Sequence, residues 1–344
     1  MVSFRKRTGP GEASAAIAGF WRWWAQARPR VEASVDSGAW DDLTDEVAGR
    51  VHAIHPKLEW EFCPGRRARH CLVVSPAGDA ALRATAARWR ATAPPEDHIW
   101  EYHAARQPDP TSSGMTMQIA GAELALDEMR FAFEVDADRS QIDVVGYHRA
   151  FASLPEKAVA MVTFLTLDWL LGEDGVELWI GRVEWRTTPP AQAQLPSALG
   201  AAVAELAAQH QEPTWAVLSA QRPGEPPVIA TVQQPLKAVR WPRFDTHVGV
   251  VLPYRSANDA ALPADGSLDA LRDFSDRLDA ALGDDAELVA HESTRGRRTL
   301  HYYVDSSTAA VATIEQSLAE WREGKPSFSH IYDPSFDRVA HLST

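Results

Sequence analysis

The sequence predicts an α+β protein of two domains, each an antiparallel sheet with helices packed on one face, the C-terminal one ferredoxin-like. Three observations carry this expectation. Segments with helical spacing and segments with alternating apolar spacing are interleaved along the chain. Proline and small polar residues gather in "TTPPAQAQLPS" (187–197), which places domains at 1–190 and 191–344. From Thr246 onward the segments run β-α-β-β-α-β, the split-βαβ order. A length of 344 residues also exceeds what one core ordinarily holds.

In the first part, "ASAAIAGFWRWWAQA" puts Ile17, Phe20 and Trp24 on one helical face. "SGAWDDLTDEVAGRVHAIHP" predicts a second helix, with Ser37 as its cap, Asp41 and Asp42 at its positive end and Pro56 just past its close. "LEWEF" and "HCLVVS" flank "CPGRRAR" as a hairpin. "GDAALRATAARWRATAP" is rich in good helix formers and stops before Pro94. "HIWEYHAAR" alternates as a strand does, and "MRFAFEVD" with "QIDVVGYH" predicts a second hairpin. A buried helix, "EKAVAMVTFLTLDWLLG", then leads to a strand "VELWIGRVEW".

The second part opens with a helix "SALGAAVAELAAQHQ" and two strands, "TWAVLSAQ" and "PVIATVQQ", around the turn "RPGEPP". "THVGVVLPYR" is a strand and "SLDALRDFSDRLDAALG" a helix with Leu268, Leu271, Leu278 and Leu282 at core spacing. "AELVAHES" and "RRTLHYYVD" pair across "TRG". "STAAVATIEQSLAEWREG" is a helix capped by Ser306 or Ser307, and "SFSHIYDP" is the last strand.

Composition narrows the function classes. Apolar residues at 45% and charged residues at 24% are those of a globular chain, which excludes wholesale disorder. Thirteen tryptophans, each able to bury roughly 200 Å², predict cores built around indoles. A net charge of −13 repels phosphate backbones and anionic lipid, so nucleic acid and membrane are disfavoured. The basic stretches "GRRARH" (65–70) and "RGRR" (295–298) sit between strands, where charged turns are usual. The start "MVSFRKRTGPGEAS" leads into no apolar leader core, and a cytoplasmic location is expected. Cys63 and Cys71 form no CxxC; a hairpin of their flanking segments brings the two sulfurs close, and reduced thiols are the expected state.

The stretch that looks most like chemistry is "STRGRRTLHYYVDSS" (293–307). Alternation places Leu300, Tyr302 and Val304 on one face, under helices, and Thr299, His301, Tyr303 and Asp305 on a half-solvated opposite face. Across the hairpin, His291 or Glu292 comes near. His301, Tyr303, Asp305 and Glu292 are therefore the candidate catalytic residues, enough for acid–base chemistry if a cleft covers them. Strand alternation alone accounts for the same pattern. In "HIYDPSFDRV" (330–339), Asp333 before a proline most simply turns the chain. His52 and His55 are close enough to share a metal, but spacing supplies no further ligand, so neither a metal site nor a cofactor is expected. GxxxxGK[ST], GxGxxG after a strand, GxSxG and HExxH are all missing.

Residues 214–342, with "DTHVGVVLPYR", "ESTRGRRTLHYYVD" and "HIYDPSFDRV", resemble the bacterial domain of unknown function 695. That family is sometimes joined to relatives of the ribonuclease E inhibitor RraB, an acidic ferredoxin-like regulator. The first part, with "FWRWWAQ", "IHPKLEWEF", "LVVSPAGD" and "WEYHAAR", is similar to uncharacterised bacterial proteins with a Phe-Trp-x-Trp-Phe helix. It departs from them at "YHAARQPD", which lacks a second arginine, so an anion site is not implied here. Neither resemblance brings a catalytic residue.

The expectation is thus a non-enzymatic regulatory or protein-interaction module, engaging a partner with a basic surface or a second copy through a sheet edge. The alternatives are a hydrolase or small-ligand enzyme using the free face of the C-terminal sheet, and an acidic toxin-neutralising protein.

Overall fold

A computed structural model describes residues 10–40, 42–109, 114, 116–119, 121–137, 139–211 and 214–343. Asp41 and the basic start, residues 1–9, lie outside the described residues. The chain forms two compact units, residues 1–106 and 107–344. Among the described residues no helix is long and apolar enough to cross a membrane.

In the first unit, α1 (Pro10–Ser37) buries Ile17, Phe20, Trp24, Ala27 and Val31 along one stripe. It runs on through Pro29, which removes one intrahelical bond; burial of Ala27 and Val31 on either side holds the two halves in line. Ser37 therefore ends α1 and does not cap the next helix: its hydroxyl donates to the Ala33 carbonyl at 2.7 Å. α2 (Leu43–Ile54) buries Leu43, Val47, Val51 and Ile54. Strands β1 (Glu59–Pro64) and β2 (His70–Ser75) pair antiparallel as expected. β3 (Trp100–His103) pairs parallel to β2, because α3 (Ala80–Ala91) is a crossover between them. The sheet is thus mixed, not purely antiparallel.

The indole core is present. Trp21 stacks on Trp89 at 4.7 Å, and Trp24 meets Trp100 edge-on at 5.0 Å. Two of the buried N–H groups find acceptors: Trp24 Nε1 donates to Tyr102 Oη and Trp100 Nε1 to Glu32 Oε1, both at 2.9 Å, while Trp89 Nε1 finds none among the described residues.

The second unit begins with a hairpin, β4 (Thr116–Ile119) and β5 (Ala122–Ala125), and continues with antiparallel β6 (Arg130–Asp136) and β7 (Gln141–Tyr147). α4 (Glu156–Leu171) closes at Gly172, whose φ of 74° is one that glycine adopts without a Cβ penalty. The expected strand at "VELW" is instead helical, in α5 (Glu173–Trp179), where Glu173 and Asp174 favour a helix start. β8 (Ile180–Arg186) then runs parallel to β7.

The composition break at 187–197 lies inside this unit. α6 (Pro196–Ala208) folds back, burying Leu199, Val203 and Leu206 in the core that also holds Phe131, Ile142 and Val162. Phe131 and Gln194 exchange two backbone hydrogen bonds across the break, at 2.9 and 2.8 Å. Contacts divide the chain at 106/107, while residue 190 sits between a sheet and its own covering helix.

A six-stranded, wholly antiparallel sheet follows. Its strands are β9 (Thr214–Ala220), β10 (Val228–Gln234), β11 (Thr246–Pro253), β12 (Ala286–Thr294), β13 (Arg297–Val304) and β14 (Ser327–Tyr332). They lie in the order β14-β11-β13-β12-β10-β9. With α7 (Gly266–Leu282) and α8 (Ala310–Ser317), residues 246–332 have the expected β-α-β-β-α-β succession. Val248, Val250, Leu300, Tyr302 and Val304 pack beneath α7 and α8.

The opposite face is not half-solvated. After β10 the chain lays Leu236, Ala238 and Phe244 over it, and after β14 it lays Phe336, Val339 and Leu342. Tyr303 on β13 is fully buried between them. Apolar residues of the segment after β10 and of the segment after β14, the latter expected only to turn the chain, make a second core.

Candidate functional site

Pleat geometry points His301 and Tyr303 of β13 into this second core, as alternation requires. On β11, His247 stands opposite Tyr303, and Gly249 stands opposite His301. A Cβ on Gly249 would come within 3.3 Å of His247 Cε1, so the glycine leaves room for the imidazole to lean toward its neighbour. His247 Nε2 and His301 Nδ1 are 3.0 Å apart.

Glu292 reaches the same face because β12 carries a bulge. Leu288 pairs with Tyr302 but Ala290 pairs with His301, which leaves Val289 as an extra residue. The bulge shifts the alternation by one residue. Glu292 therefore joins the His301 side, while His291 stands opposite Leu300 on the helix-covered side. His301 Nε2 lies 2.9 Å from Glu292 Oε1, and His341 Nε2, from the C-terminal segment, lies 3.0 Å from the same oxygen.

The phenol of Tyr303 belongs to a neighbouring arrangement. Its hydroxyl donates to Asp333 Oδ2 at 2.5 Å, and Asp333 also accepts from the backbone N–H of Asp337 at 3.0 Å and Arg338 at 2.9 Å. Phe336 stacks on the Tyr303 ring at 3.5 Å with its backbone at φ 60°, a conformation costly for a bulky side chain and held by that stacking. Asp333 does turn the chain, as its place before proline suggested.

Asp305 does not join the site. β13 ends at Val304, and the Asp305 carboxylate swings to the following turn, accepting from Ser307 N at 3.0 Å and Ser307 Oγ at 2.6 Å. It braces the approach to α8, and neither Ser306 nor Ser307 caps that helix by a side-chain bond. Of the four candidates, then, His301 and Glu292 are in direct contact. Tyr303 lies in the same layer with another partner, and Asp305 lies elsewhere.

Burial and contacts set the charges. His301 donates to the Glu292 carboxylate and holds it below the usual carboxylate range, against the upward push of burial. Burial, with a smaller contribution from His301, brings His247 down to about 4. Burial also takes His291 to about 4, and pushes the Tyr303 phenol up with help from Asp333. With Glu292 ionised, the hydrogen-bond pattern assigns one chain of donors: His301 Nε2–H to Glu292, and His247 Nε2–H to His301 Nδ1. Both nitrogens of His301 are engaged, so the ring offers no lone pair to a substrate. His341, 55% exposed, is where this chain meets solvent.

His247, His341 and Asp333 complete the arrangement, and only Asp333 drew attention in the sequence. His247 was legible in principle, since it alternates with the core residues Val248 and Val250 on β11.

Three arginines of the basic stretches are paired within the molecule: Arg67 with Glu96 at 2.7 Å, Arg69 with Asp36 at 2.8 Å, and Arg295 with Glu225 at 3.2 Å. His55 Nδ1 accepts from Lys57 N at 3.3 Å within its own turn. Among the described residues, Cys71, Glu101 and His103 have metal-capable atoms all within 4.8 Å of one another. Their spacing in sequence hides this; the parallel pairing of β2 with β3 creates it.

No curated protein and no solved structure matches the chain. The expected resemblance of the C-terminal part does hold: residues 213–337, from β9 to the turn beyond β14, match the model of DUF695, a family of unknown function.

Proposed function

We propose that the chain is a non-enzymatic protein-interaction module that engages an extended partner segment along β9. The observation that carries this reading is the outer edge of the six-stranded sheet. Among the described residues β9 pairs only with β10 in the strand order, so its other side presents a row of backbone N–H and C=O groups. On it Val217 is 71% exposed and Trp215 45% exposed. Both share a face with Thr231 and Ile229, beyond the strands that α7 and α8 cover. An edge strand flanked by exposed apolar side chains is what strand addition uses: backbone bonds supply affinity and alternate side chains supply selection. The net charge of −13 favours a partner whose flanking residues are basic.

Photo-crosslinking in cells tests this. A crosslinking residue at position 217 should give a discrete protein adduct that one at position 269, on exposed α7, does not give. Trp215→Asp should remove the adduct. Equal labelling from both positions would count against the β9 edge.

A second reading rests on the 2.9 Å contact of His301 with Glu292 and on His341 at the surface: acid–base chemistry on a small ligand. It ranks behind because His301 has both nitrogens engaged. If a substrate screen finds turnover, His301→Ala should abolish it; unchanged turnover removes His301 from the mechanism.

A further inference from the structure

The only two cysteines of the chain stand side by side. In the β1–β2 ladder Cys63 lies opposite Cys71, and in the β2–β3 ladder Cys71 lies opposite Glu101. Opposed residues share a face, so Cys63, Cys71 and Glu101 form one transverse row across three strands. His103, two residues beyond Glu101, projects from the same face. The other face carries Trp60, Phe62, Leu72, Val74, Trp100 and Tyr102 and belongs to the indole core. Cys71 and Glu101 are each 1% exposed.

Glu101 is held in place as a ligand would need to be. Its carboxylate accepts from three successive backbone N–H groups, Arg66 at 2.9 Å on Oε1, and Arg67 at 2.9 Å and Ala68 at 3.0 Å on Oε2. The turn that presents them requires Gly65, because a Cβ there would fall 2.4 Å from the Ala68 carbonyl oxygen. His103 Nε2 lies 3.2 Å from Glu101 Oε1. That separation is close to the edge of a tetrahedron with bonds of about 2.0–2.1 Å to zinc, roughly 3.3 Å. The Cys71 sulfur completes a triangle with these two groups inside 4.8 Å, and Cys63 stands opposite Cys71 in the β1–β2 ladder.

We propose that Cys71, Glu101 and His103 form a structural Zn²⁺ site to which Cys63, opposite Cys71 but outside the 4.8 Å set, is drawn in as fourth ligand, tying β1, β2 and β3 together. Thiolate sulfur, imidazole nitrogen and carboxylate oxygen in a four-coordinate set select zinc over the harder divalent ions, which prefer oxygen shells. Four protein ligands leave no open position, so the ion holds the fold and does no chemistry on a substrate. On binding, the two thiol protons are released to solvent and the imidazole of His103 turns its Nε2 lone pair to the ion, keeping its one proton on Nδ1.

Cobalt substitution in the full chain tests the site. Metal-free protein, kept reduced with a non-thiol reductant, is titrated with Co²⁺ and then with Zn²⁺. The expected result is one equivalent of tetrahedral Co²⁺ with a thiolate-to-metal charge-transfer band, displaced by one equivalent of Zn²⁺. Cys63→Ser should weaken the band and His103→Ala should lower Zn²⁺ affinity at least ~100-fold, the upper end of what losing even an outer partner costs. His52→Ala should bind as the parent does. Because these substitutions touch a buried face, thermal unfolding is read alongside: Zn²⁺ should raise the midpoint of the parent and leave that of a folded His103→Ala variant unmoved. The proposal is overturned if the reduced parent binds no stoichiometric Co²⁺ or binds it without a thiolate band. It is equally overturned if Cys63→Ser and His103→Ala bind as the parent does.

Discussion

His247 and His291 carry the clearest consequence of burial for single residues. Each has its folded pKa brought to about 4, against about 6.5 for a free imidazole. Both rings are held neutral, so between those two values the unfolded chain binds protons that the folded chain refuses. Stability is therefore complete above about pH 6.5 and declines as pH falls toward 4. Glu292, whose pKa is lowered by His301 and His341, adds a loss in the same direction, beginning only near the ordinary carboxylate value of about 4.3. The urea midpoint measured from pH 7 to pH 4 should fall first in the histidine window. His247→Gln keeps a donor toward His301 and removes one titration, so its profile should be flatter there. A parent midpoint constant down to pH 5 would contradict the buried neutral assignment. At Tyr303, removal of the hydroxyl takes from Asp333 its one side-chain donor within a buried site while both backbone donors remain. Tyr303→Phe should cost about 1–3 kcal/mol in urea unfolding, and Asp333→Asn, which can still accept, less than Asp333→Ala.

The elements were legible where one residue's spacing decides its side, and obscure where an insertion or a distant segment decides. Leu300, Tyr302 and Val304 under helices, with His301 and Tyr303 opposite, followed from alternation alone. That Glu292 and not His291 meets His301 follows from the bulge at Val289, and alternation carries no mark of an extra residue. Asp305 was placed with His301 by extending the alternation one residue past the end of β13. The cover over the second face was missed for a related reason: Phe336, Val339 and Leu342 recur every three residues in a segment that begins with Asp-Pro, so it read as an ending. The end of that segment, Asp337–Leu342, is a 3₁₀ turn with Phe336 at its cap, and its three-residue repeat matches the spacing of Val339 and Leu342. It is also indispensable. Those three side chains are buried, and each contributes about 1.5–3 kcal/mol, together a large part of the stability of an ordinary domain. Truncation after Tyr332 should therefore give a chain that aggregates or lacks a cooperative transition. A truncated protein that stays soluble with the parent's urea midpoint would show the cover to be dispensable.

For the whole molecule, the proline-rich stretch at 187–197 is a real break but not the division between compact units. "TTPPAQAQLPS" is a connection between strand β8 and helix α6, and proline marks it as it marks any such connection. What composition cannot show is that Leu199, Val203 and Leu206 return to the core of β6, β7 and α4. The division at 106/107 is followed at once by "QPDPTSSG" (107–114), a stretch as rich in turn residues as 187–197. The two positions make opposite predictions for fragments. Residues 1–106 contain the whole indole cluster, from Ile17 to Tyr102, with its helices and its sheet. Residues 1–190 add β6, β7 and β8 without α6, leaving Phe131 and Val162 without the helix that covers them. The fragment 1–106 should thus be soluble and unfold cooperatively by tryptophan fluorescence, and 107–344 should do so by circular dichroism. The pair 1–190 and 191–344 should aggregate, since each holds half of one core. If 1–190 and 191–344 are both soluble and cooperative while 1–106 is not, the folding boundary lies at the proline-rich connection and α6 packs on a preformed surface. That result would make Leu199 and Val203 replaceable at small cost, whereas a core shared across the break puts Leu199→Ala at about 2–5 kcal/mol.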